Sequence, residues 1–291
     1  MEKLAIILVL LWSSVANGQV LNKTGGQAFT DKPFFNEQFI QLNKIKSIKA
    51  QFNYKKTRQA IIEQNFYYVY NFDQNGHLVS TYETKKDDGT KDTTWNIYLY
   101  NDRNLLIEHK RGDARGKTSN VYVYDGDKMI REEYWTESMD STGKHTRLLF
   151  NSESFEYSEY GNQKRKKYFN SYQLPYMEET TYIDSLGYVS SVENRMIMTN
   201  STLKKKFYYN EKGYLAKLEV FDRSKDPTET YEYSYDRFGN LSQTHYYKKD
   251  VFTTDTQIVY NERSNLITAV IIREVATDFI MILRFNEYEY Y

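Results

Sequence analysis

The sequence predicts an all-β fold of tandem β-hairpins, with a period of about 26 residues, that form a long, curved or wound antiparallel sheet. A motif of an aromatic residue, any residue, Tyr, Asn or Asp, two residues, Gly, one residue and Leu recurs along the chain. Its sharpest copies are residues 207–215 and 233–241. Apolar and polar residues alternate around each copy, as in half-buried strands. The 29 tyrosines suit such strands, because the ring packs across strands while the hydroxyl stays hydrated or hydrogen-bonded.

Each repeat is anchored by the residue that precedes the Asn or Asp of the motif. The anchors are Phe72, Tyr100, Tyr124, Tyr157, Ile183, Tyr209, Tyr235, Tyr260 and Phe285. The Asn or Asp opens a type I turn by bonding its own backbone, and the closing Gly or Asn supplies the positive φ of a bulged hairpin. Each repeat is therefore predicted to form two strands, and the whole chain is predicted to form about 16 to 18 strands.

Three segments are predicted. Residues 1–18 have a charged start, a short apolar run and small residues at Ala16 and Gly18, which is the pattern of a secretory signal peptide. Residues 19–43 form an N-terminal segment with a short helix near Pro33–Leu42. Residues 44–291 form the β-hairpin repeat domain, whose least polar strands, at 266–272 and 279–285, are expected to be the most buried.

Composition narrows the location and the partners. The chain has no cysteine, and an exported protein of this size without disulfides fits a bacterial envelope: the periplasm, the cell surface or the medium. Lys plus Arg and Asp plus Glu are both 39, and this neutrality argues against a nucleic-acid partner.

In the strand around Lys205, the neighbours Lys204 and Lys206 point to the opposite face, so either face would present lysine to lipid. The sequence thus predicts a chain that does not span a membrane.

The core Tyr-Asn/Asp-x-x-Gly-x-Leu resembles the YD repeat of the rearrangement-hotspot family and of teneurins. The resemblance covers about three quarters of the chain, from Phe66 onward, and is closest to small exported YD-like repeat proteins of bacteria whose role is not established. In the large family members the repeats wind into a β-shell around a toxin domain. Here the period is longer, Asn104, Lys128 and Ser264 replace the Gly, and no further domain is expected, so the resemblance implies a wound β-structure without enclosed cargo.

The sequence offers no catalytic, cofactor-binding or metal-binding residue. The histidines His77, His109, His145 and His245 lack the spacing of metal ligands, and we expect them to be exposed. Glu132-Glu133 and Glu178-Glu179 cannot each present two carboxylates side by side, because adjacent strand residues point to opposite faces. A carboxylate pair that meets across strands stays open.

The leading functional expectation is a non-enzymatic exported repeat protein, an interaction or structural module of the bacterial cell envelope whose partner is an envelope protein or a glycan. The alternative is a carbohydrate- or small-ligand-binding module with an aromatic face, for which Trp95 and Trp135 are the candidate contacts. A hydrolase with a cross-strand carboxylate pair is the third reading. An interaction module predicts an uncovered sheet edge or an apolar patch, a ligand-binding module predicts clustered rings, and an enzyme predicts carboxylates in a pocket.

Overall fold

The computed structural model describes residues 20–21, 33–87, 90–113, 116–139, 142 and 145–291. The predicted signal peptide, residues 1–18, lies outside the described residues, as does most of the stretch from 19 to 32. The chain forms one helix and eighteen strands in the described ranges. The helix, α1, spans Glu37–Leu42, where Asn36 caps its N-terminus by accepting a hydrogen bond from the backbone N–H of Phe39 at 3.3 Å. In these ranges no helix is long and apolar enough to cross a membrane.

The strands follow one another along the chain with short connections. They are β1 (Ile45–Lys55), β2 (Ile62–Phe72), β3 (Leu78–Asp87), β4 (Thr90–Tyr100), β5 (Leu106–Gly112), β6 (Lys117–Asp125), β7 (Lys128–Met139), β8 (His145–Tyr160), β9 (Gln163–Phe169), β10 (Pro175–Ile183), β11 (Val189–Met196), β12 (Thr202–Tyr209), β13 (Leu215–Asp222), β14 (Glu229–Tyr235), β15 (Leu241–Lys248), β16 (Val251–Tyr260), β17 (Ile267–Glu274) and β18 (Phe279–Tyr290). The all-β prediction and the predicted number of strands are confirmed.

The sheet closes into a β-barrel, so the prediction of a long, curved or wound sheet is wrong. Each strand pairs antiparallel with its neighbours in sequence, and β1 pairs with both β2 and β18. The seam between the first and last strands runs from Ile45 opposite Tyr290 to Lys55 opposite Ile280. Closure pairs the two edges that an open sheet of this size would leave free. Within the described chain, every strand therefore has a partner on both sides.

The predicted turn chemistry is present. In most of the predicted turns the Asn or Asp side-chain oxygen accepts two backbone N–H hydrogen bonds, as Asp236 Oδ1 does from Phe238 and Asn240 at 2.8 Å each. The closing residue has positive φ both where it is glycine, as in Gly213 at 76°, and where it is not, as in Asn104 at 62°. The same geometry occurs at Asn101, Asp73, Asp184, Asn210 and, in a turn one residue longer, Asn261.

Three details of the repeat differ from the prediction. No turn directly follows Tyr157 or Phe285, because β8 continues to Tyr160 and β18 to Tyr290. A turn of the same type at Asn170 was not predicted, although Asn170 Oδ1 accepts the backbone N–H groups of Tyr172 and Leu174 at 3.0 Å. It closes with Gln173 at φ 59°, so the missing Gly concealed it.

The strand register assigns an inner and an outer face to the barrel. Directly opposed residues in antiparallel strands share a face. One such series crosses five strands from β16 to β2: Ile258, Val270, Leu283, Phe52 and Phe66. Ile258, Val270 and Leu283 belong to the cluster that packs with α1, so this face is the inner one.

The outer face carries a dense set of opposite charges. Ion pairs join neighbouring strands or alternate positions of one strand: Lys49–Glu287, Arg131–Glu133, Arg147–Glu137, Arg195–Glu178, Lys204–Glu193 and Lys217–Glu219. Such exposed pairs contribute little stability individually. Their consequence is a charged, hydrated outer wall.

The main core lies at one end of the barrel, the end where β2 turns into β3, which we call rim A. There Val20, Leu21, Phe35 and Ile40 of the N-terminal segment pack against the inner faces of the strands around the seam. The helix thus covers rim A beside the seam. Ile45, Ile48 and Ala50 make β1 the most deeply buried strand, which corrects the expectation that β17 and β18 would be. The burial of β1 was not predicted because the segment that covers it, which includes α1, does not carry the repeat motif.

Candidate functional site

A series of tyrosine hydroxyls ties successive hairpins together along rim A. Each anchor tyrosine donates a hydrogen bond to a backbone carbonyl at the start of the strand that follows the preceding rim-A turn, as Tyr209 does to Val189 at 2.9 Å. All six anchor tyrosines do so: Tyr100 to Leu78, Tyr124 to Leu106, Tyr157 to Met129, Tyr209 to Val189, Tyr235 to Leu215 and Tyr260 to Leu241. The anchors are therefore structural, and the repeat encodes contacts between hairpins as well as within them.

A second layer of rings covers some of these anchors. The residue that follows the turn glycine stacks on the next anchor: Tyr188 on Tyr209 with ring centroids 4.8 Å apart, and Tyr214 on Tyr235 at 4.9 Å. Gly213 permits this arrangement, because a Cβ at that position would overlap the hydroxyl oxygen of Tyr188. The two ring pairs form an aromatic wall above β11 to β14.

Beneath this wall lies a cavity of about 540 Å³ on the inner face of β10 to β14. Its lining consists of aromatic, aliphatic and small residues: Thr181, Gly187, Tyr188, Val189, Val192, Phe207, Tyr209, Gly213, Tyr214, Leu215 and Tyr235. A volume of this size suits a small-molecule ligand. Tyr188 is 37% exposed, which places its ring at the solvent side of the cavity.

The hydroxyls of Tyr209 and Tyr235 are neutral at physiological pH. Burial is the main cause that raises the pKa of Tyr209, and it raises that of Tyr235 to about 12. The hydroxyls of Tyr209 and Tyr235 are engaged with carbonyl groups, so these side chains present their ring faces to the cavity. No carboxylate and no imidazole belongs to the lining. The lining therefore suits an apolar group.

Glutamates on the inner face lie deeper in the barrel, bonded by tyrosines. Tyr68 donates to Glu83, Tyr176 to Glu153 and Tyr231 to Glu229, each at 2.8 Å. Burial and these carboxylates raise the pKa of each of the three tyrosines above the usual range.

The carboxylate pair left open by the sequence does occur across strands. Glu132 of β7 lies directly opposite Glu153 of β8 on the inner face. Glu132 accepts a hydrogen bond from Asn120 Nδ2 at 3.0 Å, and Glu153 accepts one from Tyr176. Both carboxylates are thus held by structural donors, and neither lines the cavity.

The two tryptophans singled out by the sequence lie on the outer face, away from the cavity. Trp95 packs against Gly112 on the neighbouring strand, with Lys117 above its ring at 5.9 Å. Trp135 donates its Nε1–H to Glu133 at 3.1 Å and lies under the guanidinium of Arg147 at 4.7 Å. Both rings therefore pack among the charged side chains of the outer face. The ring cluster over β11 to β14 was not predicted, because its members cannot be distinguished in sequence from the other tyrosines of the repeat.

The expectation of exposed histidines is wrong for His77. Its side chain is 3% exposed, contacts Asp73 Oδ2 through Nδ1 at 2.9 Å and stacks on Tyr100 at 4.5 Å. It takes the place of the post-glycine tyrosine in its repeat. His109 is half-buried, and His245 lies 3.5 Å from Asp255 on the outer face. Nowhere in the described ranges do three or more His, Asp or Glu side chains form a group that could hold a metal ion.

No protein-family model and no curated protein sequence matches this chain. Among solved structures it is similar to a porin-like protein from Bacteroides uniformis ATCC 8492, with 9% identity over 84% of this chain and 98% of that chain and a TM-score of 0.41. A porin-like protein from Bacteroides vulgatus ATCC 8482 aligns at 10% identity over 81% and 97% of the two chains, with a TM-score of 0.32. The structure of TcdB2-TccC3 without its hypervariable C-terminal region aligns at 11% identity over 74% of this chain but 14% of that chain, with a TM-score of 0.23. Similarities at this level do not assign the chain to a family.

Proposed function

We propose that this protein is a non-enzymatic, exported binding protein of the bacterial envelope that holds an apolar small ligand inside its barrel. The observation that carries the proposal is the cavity of about 540 Å³ lined by the rings of Tyr188, Tyr209, Tyr214 and Tyr235. Transfer of an apolar group from water into such a site contributes about 25 cal/mol for each Å² that is buried. The ring hydroxyls of Tyr209 and Tyr235 are already bonded, so the wall does not need a polar ligand.

Closure of the barrel favours this function over an interaction module. Strand addition by a partner requires a free sheet edge, and the seam between β1 and β18 pairs both edges. The aromatic ligand-binding reading of the sequence is thus retained with a different site, since the rings lie inside the barrel and not at Trp95 and Trp135.

The charged outer face supports a protein surrounded by water. Lys204 and Lys206 both lie on this face, and lysine facing lipid near the middle of a membrane costs about 2–4 kcal/mol. Export rests on residues 1–18, and N-terminal sequencing of the protein recovered from the envelope fraction tests it, with Gln19 as the expected first residue. Recovery from the cytoplasm with Met1 intact would refute export.

Binding is tested with the neutral fluorescent probe N-phenyl-1-naphthylamine, added to the purified mature chain. We expect saturable binding that Val192→Trp weakens by at least about tenfold, because the larger ring fills the cavity. Ser191→Trp is the matched control, since Ser191 precedes Val192 on the same strand and lies on the opposite face. Absence of saturable binding to the wild-type chain, or equal binding by both variants, would overturn the proposed function.

A further inference from the structure

The inner face changes from apolar to polar at the deep end of the cavity, at Lys205. Lys205 precedes the lining residue Phe207 by two positions in β12, so it lies on the same face about 7 Å further from rim A. The residues directly opposite are Val192 on β11 and Val220 on β13. This ammonium group therefore stands at the edge of an apolar wall.

Lys205 is half-buried, and it forms no ion pair with any described residue. Its neighbours in sequence differ in this respect: Lys204 Nζ lies 3.7 Å from Glu193, and Lys206 Nζ lies 4.8 Å from the ring of Phe221, both on the outer face. The nearest inner-face carboxylates by register are Asp222, which lies opposite Leu203 on β13 and is therefore diagonal to Lys205, and Glu229, which lies opposite Val220 and accepts a hydrogen bond from Tyr231 at 2.8 Å. Asp222 is exposed at the end of its strand, and neither carboxylate forms an ion pair with Lys205.

A second polar group, two residues further from rim A on the neighbouring strand, lacks a partner. Asn194 Oδ1 is buried and accepts no hydrogen bond within the described chain. Asn194 lies opposite Leu203 while Val192 lies opposite Lys205, so Asn194 and Lys205 are diagonal neighbours on the inner face. A buried polar atom without a partner is costly, so Asn194 marks a polar position beside Lys205; a carboxylate head group, which only accepts hydrogen bonds, would pair with Lys205 and not with this oxygen.

We infer that the ligand is an amphipathic anion, whose apolar chain occupies the aromatic cavity and whose head group pairs with Lys205. The inference rests on the proposed function and adds the chemical class of the ligand. A long-chain carboxylate is the simplest member of this class. A charged hydrogen bond between ammonium and carboxylate at the edge of an apolar site is stronger than a neutral one, so the head group contributes to affinity as well as to orientation.

The test compares dodecanoate with dodecan-1-ol, which share chain length and differ in head-group charge. Each displaces N-phenyl-1-naphthylamine from the full mature chain at pH 7.4, and the apparent Kd is measured. We expect dodecanoate to bind about tenfold more tightly than the alcohol. Lys205→Met should abolish this preference while it leaves binding of the neutral probe intact, and Lys205→Arg should keep it.

Lys206→Met is the matched control, because it removes an adjacent lysine from the outer face and should keep the preference. Circular dichroism and thermal unfolding verify that each variant is folded. Equal affinities of the wild-type chain for the acid and the alcohol, or an unchanged preference in Lys205→Met, would overturn the inference while probe binding upholds the proposed function. Failure of the probe and both ligands to bind would overturn the proposed function itself.

Discussion

Tyr235 donates its hydroxyl to the backbone carbonyl oxygen of Leu215 at 2.8 Å, across the boundary between two repeats. Leu215 begins β13 immediately after one rim-A turn, and Tyr235 ends β14 immediately before the next. The same bond recurs at every anchor that is a tyrosine, so the most frequent aromatic residue of the chain fixes the spacing of hairpins around the barrel.

Removal of the Tyr235 hydroxyl should destabilise the barrel without changing its packing. Tyr235→Phe leaves the Leu215 carbonyl without its donor, and we expect a loss of about 1 kcal/mol in the free energy of unfolding, measured by urea denaturation. Tyr172→Phe is the control, because Tyr172 is 82% exposed and should change the free energy by less than about 0.5 kcal/mol. Equal effects of the two substitutions would show that the hydrogen bond from the Tyr235 hydroxyl makes no net contribution to the free energy of unfolding.

The turn at Asp236 depends on the side-chain oxygen rather than on its charge. Asp236 Oδ1 accepts two backbone N–H groups, so Asp236→Ala should lower the free energy of unfolding by about 1–2 kcal/mol. Asp236→Asn retains this oxygen, as the natural turns at Asn210 and Asn261 do, but it replaces Oδ2, which accepts a hydrogen bond from Asn240 Nδ2 at 2.9 Å, by an NH2 group. It should therefore cost about 1 kcal/mol, less than Asp236→Ala. An equal loss with Asn and Ala would mean that charge, and not turn geometry, stabilises this hairpin.

Two equivalent turn glycines separate backbone strain from steric overlap. Gly187 and Gly213 have φ of 87° and 76°, but only at Gly213 would a Cβ overlap another side chain, the hydroxyl end of Tyr188. We expect Gly187→Ala to cost about 1 kcal/mol and Gly213→Ala about 1 kcal/mol more, measured by urea denaturation. Gly213→Ala should also weaken N-phenyl-1-naphthylamine binding, because it displaces a ring of the cavity wall. Equal costs at both positions would indicate that Tyr188 moves freely.

Stability should fall at alkaline pH because of the buried tyrosines. Burial and the nearby Glu132 raise the pKa of Tyr122 to about 12, and burial raises that of Tyr235 to about 12. These hydroxyls therefore keep their protons in the folded chain while the unfolded chain loses them near pH 10. Their contribution to stability is complete below about pH 10 and is lost as the pH rises toward about 12.

The measurement is urea unfolding at successive pH values, with tyrosinate absorbance followed in the folded state. Tyr122→Phe should reduce the slope of stability against pH between about pH 10 and 12, because it removes one of the groups that titrate there. An unfolding free energy that is constant over this range would contradict the prediction.

Closure of the barrel can be tested by cross-linking, because the chain contains no cysteine. Gln51 on β1 lies directly opposite Arg284 on β18. Opposed residues of antiparallel strands have Cα atoms about 4.5–5.5 Å apart, within the range that a disulfide spans. The double variant Gln51→Cys, Arg284→Cys should therefore oxidise within one chain and raise the Tm. Each single variant is the control, because it can form a disulfide only between two chains. If the double variant also forms disulfides only between chains, the seam between β1 and β18 is open.

The sequence by itself determined the local structure. The Asn or Asp at each turn, the positive-φ residue that closes it and the alternation of side chains in 207–215 and 233–241 all act over a few residues, so they predict hairpins, strand number and the helix near Pro33–Leu42. The alternation also places Lys204 and Lys206 on one face of their strand and Lys205 on the other. It does not indicate which of the two faces lines the interior of the barrel.

Tertiary structure alone decided the closure of the barrel, the packing of the N-terminal segment over rim A and the cavity. The pairing of Ile45–Lys55 with Phe279–Tyr290 joins residues more than two hundred positions apart, and its free energy depends on the twist accumulated over all eighteen strands rather than on any local motif. The aromatic wall at Tyr188 and Tyr214 likewise arises where consecutive repeats meet, because a ring can stack on the next anchor only after the hairpins are side by side. The same tyrosines that indicate a repeat in sequence thus become a ligand cavity in space.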